Sequence, residues 1–332
     1  MDRDDFDRVI CGPGARGLYE SNYIKANDPR RGGAFWIKYN LLAPTDPSRP
    51  RFGELWAISW EGPGQRPIVV KQLVDEADIT ADTRRMDFIT PKAALSTDRA
   101  RGSIEEGGHK IEWDLELLEG GTPLFLYPHV FYGAPFPKKK SLTPRPRQIL
   151  TGTLVVDDRP VSIERWVGLR GHNWGAMHAH TLAYGNANLW DQPGEWAFEA
   201  ASARLFIGPV LSPLLSVAVL RGPKTERRYN LPQVWLNKTA HVDFPSWSCT
   251  FRLSTGETRA RWTLDPEDVA GLRYLHPDGR VAYCYNTKYA QLRLESERSR
   301  GREERTSSMA ELEFQTPSPI PGIPLHGHDL LP

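Results

Sequence analysis

Polar and apolar residues alternate along this chain with a period of two. The segment HKIEWDLEL puts His109, Ile111, Trp113, Leu115 and Leu117 on one face, and Lys110, Glu112, Asp114 and Glu116 on the other. A half-buried antiparallel strand gives this pattern and a helix does not, because successive strand side chains point to opposite sides. The segments 32–42, 53–60, 67–74, 196–207, 248–254, 260–264, 281–296 and 307–314 read as strands in the same way. Turn signals separate them: Gly107–Gly108, Asp157–Asp158, Gly256 and Asp278–Gly279 each sit where a hairpin is expected. Helical periodicity is nearly absent. The stretch from Asp265 offers a cap and one short first turn. The apolar run Leu205 to Leu220 is broken by Gly208, Pro209, Ser212 and Pro213, which predicts two strands joined by a bend. Proline-rich 132–148 predicts a long surface loop, and the proline-rich C-terminus predicts an extended wrap.

So many meandering strands over 332 residues exceed one small sandwich. The expectation is an all-β protein of two antiparallel barrels or sandwiches, residues 1–175 and 176–332, with the joint near the middle. The texture of the chain suggests this joint: GPGARGLYESNYIKAN opens the first half and GHNWGAMHAHTLAYGNANLW the second, each followed by aromatic strands.

Composition narrows the functional classes. The 42 basic and 41 acidic residues balance, leaving no electrostatic footprint for nucleic acid or an anionic membrane. No run of about 18 apolar residues exists, so no membrane span is expected. The polar N-terminus does not read as a signal peptide, and Cys11, Cys249 and Cys284 fit no zinc or redox spacing, so a cytoplasmic protein with reduced thiols is expected. No phosphate-binding glycine loop opens a long helix. Eleven Trp point instead to pockets walled with rings.

The segment Gly168 to Gly185 gathers His172, Asn173, Trp174, His178, His180 and Tyr184 on four glycines. On a strand, His178 and His180 would share a face and could share a metal, but no carboxylate follows until Asp191, and hydrogen-bonded histidines are the commoner outcome. No metal is expected. Ser21, Ser59 and Ser162 lack a nucleophile-elbow frame. For acid–base chemistry, Glu199 shares its face with Glu195, Ala197, Ala201 and Ala203, and the small residues leave room for a ligand or for solvent. Asp191 is a second acid or a turn residue. Lys38 shares a face with Trp36 and Asn40, and is a buried base if that face lines a core and a solvated lysine if not. Tyr127, His129 and Phe131 would share one face of a strand and orient a polar ligand atom, or form a satisfied core pair.

Together with ESNYIKANDPRRGGAFWIKYNLLAP, GELWAISW and ARLFIGPVLSP, the segment GHNWGAMHAHTLAYGNANLWD resembles the lipocalin-like family that contains the carotenoid hydratases (hydroxyneurosporene synthases). Tocopherol cyclases and fungal lipocalin-like Diels–Alderases are similar at greater distance. The resemblance runs from about Gly17 to the last strand, and Gly171 to Gly175 with His178 is its most specific element. It implies two calycin-type barrels side by side, a hydrophobic pocket in or between them, and cofactor-independent chemistry on an isoprenoid or polyketide chain. It also implies a Trp and an Asp in the pocket, for which Trp190–Asp191 is a loose counterpart. The expected function is therefore hydration, cyclisation or isomerisation of an unsaturated lipophilic small molecule by a monomer or weak homodimer. His172, His178, Asp191 and Glu199 are the candidate catalytic groups. Trp36, Lys38, Tyr127, His129, Asn173, Trp174, Tyr184 and Trp190 are the candidate substrate contacts. A carrier that only binds the lipophile, or a histidine segment that merely seals the joint, would leave the same sequence.

Overall fold

The structure is a computed structural model that describes residues 7–327 except 31, 232, 233, 235, 236, 238, 255, 299 and 300. Part of the N-terminal decapeptide and the last five residues of the proline-rich C-terminus thus lie outside the described residues.

Among the described residues, two large sheets account for the chain. A 12-stranded sheet runs from Leu18 to Gly175, and an 11-stranded sheet begins at Thr181. Both are antiparallel and curl into half-barrels, as expected of a paired calycin-like fold. The parallel pairing of Gly271 with Leu325 lets the C-terminal chain add a short edge to the second sheet. The predicted hairpins form at their turn residues. Asp157 and Asp158, both with positive φ (48° and 62°), connect the long strands Lys139–Val156 and Arg159–Gly175, which is the backbone a two-residue hairpin turn of the right twist requires. The side chain of Asp265 accepts from the Glu267 amide at 3.0 Å, and the helical turn it caps ends after Asp268.

Several segments differ from the sequence expectation, and the two stretches read as openings of the halves are themselves strand at Leu18–Asn27, up to Gly175 and at Thr181–Ala187. The proline-rich stretch is strand from Lys139 onward. Its pairing shifts register between Leu142 and Arg145 and again between Arg145 and Gln148, so Pro144 and Pro146 fall where the ladder is broken and their missing amides cost little. The stretch around His129 is not a strand: Val130–Gly133 forms one helical turn, so Tyr127, His129 and Phe131 share no strand face. The apolar run from Leu205 holds three short strands. Phe206–Ile207 folds back on Val210–Leu211 before Leu215–Arg221 joins the second sheet.

Each half closes around its own core. Phe35, Ile37, Tyr39, Leu55 and Trp113 belong to the first; Phe198, Trp247, Phe251, Trp262 and Leu312 belong to the second. The strand His109–Leu117 alternates between buried and exposed residues because only one face is covered. The strand Ala34–Ala43 is buried at every position. Its odd residues enter the first core, while Trp36 and Lys38 turn toward the second sheet. Tyr23, Trp36, Trp56, Leu272, Tyr274 and Met309 pack together there, so the seam between the halves is itself a core.

Candidate functional site

The seam opens into a cavity of about 220 Å³. The strand Leu18–Asn27 contributes Tyr19, Ser21 and Tyr23, whose odd spacing puts all three on the seam face. Lys38 is the cross-strand partner of Tyr23, and Asn173 that of Ser21. From the second sheet, Tyr184 lies between its partners Ala201 and Glu313. Leu126, Leu182, Ala201, Leu205 and Val217 form one contiguous apolar wall. Lys38, Lys139, His178, Tyr274 and Glu313 supply polar and charged lining.

Glu199 lies behind Tyr184 and is fully buried. Thr143 donates to its carboxylate at 2.7 Å and the Tyr184 hydroxyl at 3.2 Å. Burial outweighs these bonds and pushes the carboxyl up to about 7. Tyr23 is hydrogen-bonded in turn to Tyr184, so a short chain of hydroxyls links the buried acid to the cavity. Lys38 donates to the Tyr274 hydroxyl at 2.6 Å, and its ammonium lies 4.6 Å from the Trp36 ring centroid and 4.0 Å from that of Tyr274. Burial lowers this lysine to about 8. The His178 ring stacks on Tyr19 at 3.9 Å and lies 4.8 Å from His276. Burial, and then the charges of Lys139, His276 and Lys38, hold it well below the ordinary imidazole value.

Deeper in the seam, Glu311 pairs with Lys288 and, at 3.7 Å, with Lys25. Burial alone would raise this carboxyl; the two lysines prevail and hold it below its usual range. Asn286 bridges Glu311 and Glu313 at 3.3 and 3.2 Å.

Six of the residues singled out from the sequence line the cavity: Trp36, Lys38, Tyr127, Asn173, His178 and Tyr184. Glu199 stands directly behind them. The others lie elsewhere. His172 alternates with Asn173 and so faces the interior of the first half, where its Nε2 bonds the Glu20 carboxylate at 2.7 Å. Trp174 packs against His172 and Tyr132. Asp191 is an exposed turn residue that accepts from the Ser308 amide and hydroxyl at 3.2 and 2.8 Å. The Trp190 indole donates to the Trp196 carbonyl at 2.9 Å and belongs to the second core. His129 is exposed and rests on Phe125. His178 and His180 lie on irregular chain: His178 turns to the cavity and His180 packs on Phe206, so the pair does not converge. Among the described residues no three His, Cys, Asp or Glu side chains gather as metal ligands would.

Sequence reasoning missed Tyr19, Tyr23, Lys139, Tyr274 and Glu313 in the cavity wall. Lys139 was hidden in a run read as loop. Tyr19 and Tyr23 had a signal: they alternate in the same strand whose neighbour carries Trp36 and Lys38.

No family model matches the chain. Two uncharacterised proteins of Mycobacterium tuberculosis, one from strain CDC 1551 and one from H37Rv, are each 25% identical over 297 residues, covering 88% of this chain and 86% of theirs. Among solved structures, a Nitrosomonas europaea protein provisionally named AttH aligns with a TM-score of 0.56 at 13% identity, covering 91% of this chain and 97% of its own. Kievitone hydratase from Nectria haematococca aligns with a TM-score of 0.52 at 10% identity, covering 93% of each chain. The paired half-barrel fold is therefore shared with both.

Proposed function

We propose that the chain is an enzyme that protonates an unsaturated, largely apolar small molecule in the seam cavity, without an added cofactor, for hydration, cyclisation or isomerisation. One observation carries this reading: a buried carboxyl with a value near 7 stands hydrogen-bonded behind a cavity-lining tyrosine. With Glu199 protonated, its hydrogen turns to the Tyr184 oxygen and the Tyr184 hydrogen to the cavity. The tyrosine proton then adds to an alkene carbon as the Glu199 proton replaces it. The negative ring faces of Tyr23 and Tyr184 stabilise the cation that forms. Water addition gives an alcohol, and the proton lost from that water returns to Glu199. Loss of a carbon-bound proton to Glu199 instead gives an isomer, and attack by a second alkene gives a cyclic cation that then loses a proton to Glu199. The sequence resemblance to carotenoid hydratases supports this reading, with residues 1–175 and 176–332 as the two lipocalin-like domains. So does the fold, since kievitone hydratase is built on it too.

The test is incubation of the purified chain with terpenoid and polyene pools, read by mass for a gain of water or an isomeric product. Glu199→Gln and Tyr184→Phe should each lower conversion by about 10²–10⁴-fold, the usual worth of a positioned proton donor, while leaving ligand binding in place. A bound lipid that co-purifies and is never converted would sink the enzymatic reading in favour of a carrier.

A further inference from the structure

Away from the cavity, the buried lysines of the described residues are paired with carboxylate or carbonyl oxygens, Lys25 with Glu311 only at 3.7 Å. Lys71 lies 2.6 Å from Glu54, Lys288 is paired with Glu311, and Lys140 donates to the carbonyls of Ala134 and Pro137. Lys38 has the neutral Tyr274 hydroxyl instead. Neither Lys38 nor Lys139 has a carboxylate of the described residues within ion-pair distance, and both line the cavity. The hydroxyl of Tyr19, also in the lining, is buried with no hydrogen-bond partner. Tyr19 and Tyr274, the acceptor of Lys38, both lie against the His178 ring. His178 stacks on Tyr19, lies 5.8 Å from Tyr274, and feels the charges of both Lys139 and Lys38.

Formal charge at this end of the cavity does not close. Two lysines face one carboxylate, Glu313, which leaves an excess of one positive charge (2 − 1) on the lining. A buried ammonium with no carboxylate beside it is costly, and Lys38 has only a neutral hydroxyl, so a ligand that supplies negative charge gains most there. The apolar wall of Leu205, Leu215 and Val217 gives the rest of a ligand hydrocarbon to touch.

We propose that the cavity selects an amphiphile with an acidic head group, in its simplest form a carboxylate, held by Lys38, Lys139 and the Tyr19 hydroxyl with its chain along the apolar wall. The inference names the substrate class for the site proposed above and rests on that cavity being the ligand site, but not on any turnover.

Fluorescence titration of the full chain with cis-parinaric acid and with its methyl ester decides it, and decanoic acid and its ester serve as displacing ligands. The acid should bind at least about tenfold more tightly than the ester, the order of one charge-assisted hydrogen bond. Lys38→Met and Lys139→Met should each remove most of that preference without weakening the ester, and Glu313→Gln should tighten the acid. Should Lys38→Met fold poorly, the half-buried Lys139 carries the same test. Equal binding of acid and ester overturns the inference, as does a preference that survives both lysine substitutions, or binding of neither. Equal binding leaves the Glu199–Tyr184 chemistry standing. Acid-selective binding together with full turnover in Glu199→Gln would overturn that chemistry and leave this inference intact.

Discussion

At the scale of single residues, the pH dependence of Glu199 follows from its place. Its value rises from an ordinary 4.5 to about 7 because burial penalises the charged form more than Thr143 and Tyr184 favour it. A proton donor acts only while protonated, so kcat should be highest below about pH 7 and fall as the pH rises through it. Glu199→Gln should remove that limb along with the rate. The sign for stability is the same: with the folded value raised, the contribution of Glu199 is full below 4.5 and is lost as the pH rises through about 7. A pH–rate profile without a limb near 7 would remove Glu199 as the donor. Glu199 was legible in the sequence because small alanines flank it on one strand face. The positions of His172 and Asp191 were not: one turns inward on its strand, and the other lies in a turn against Ser308.

Among the elements, the strand Arg159–Gly175 shows why glycine gathers in the middle of the chain. Gly171 is the cross-strand partner of Tyr23, and a Cβ there would run into the Tyr23 ring, which occupies that space. Gly175 has a φ of 154° and its Cβ would meet the Lys138 carbonyl. Gly171→Ala should therefore displace Tyr23 from the cavity wall and destabilise the fold by about 1–3 kcal/mol, the usual cost of overpacking. Urea denaturation of Gly171→Ala, alone and combined with Tyr23→Ala, checks this. The double variant should lose little more than Tyr23→Ala alone, and additive losses would refute the steric account. The turns and the period-two strands were readable because each is set by neighbours a few residues away. The proline-rich strand from Lys139 was not, since its ladder tolerates proline only through register shifts that depend on both partner strands.

For the molecule as a whole, the seam carries the polar groups that a sequence pattern assigns to the surface. Lys25, Lys288 and Glu311 are all buried there. Lys288→Met should lower stability by about 3–5 kcal/mol, because removing one member of a buried ionic set leaves its partner charged and poorly matched. The urea midpoint measures it, and a loss below about 1 kcal/mol would mean that water reaches the cluster. The described residues include no helix long and apolar enough to cross a membrane.

By itself the sequence determined the period-two strands, the hairpins and the all-β class, because side-chain alternation and positive-φ turns are local requirements. It also marked Trp36, Lys38, Tyr184 and Glu199 as residues on strand faces with ambiguous surroundings. Only the tertiary structure decided what covers those faces. A period of two separates the two sides of a strand but does not say whether the second side meets water or another sheet. Here it meets another sheet, and that contact turns lysines and glutamates of ordinary surface pattern into a buried, charge-bearing cavity.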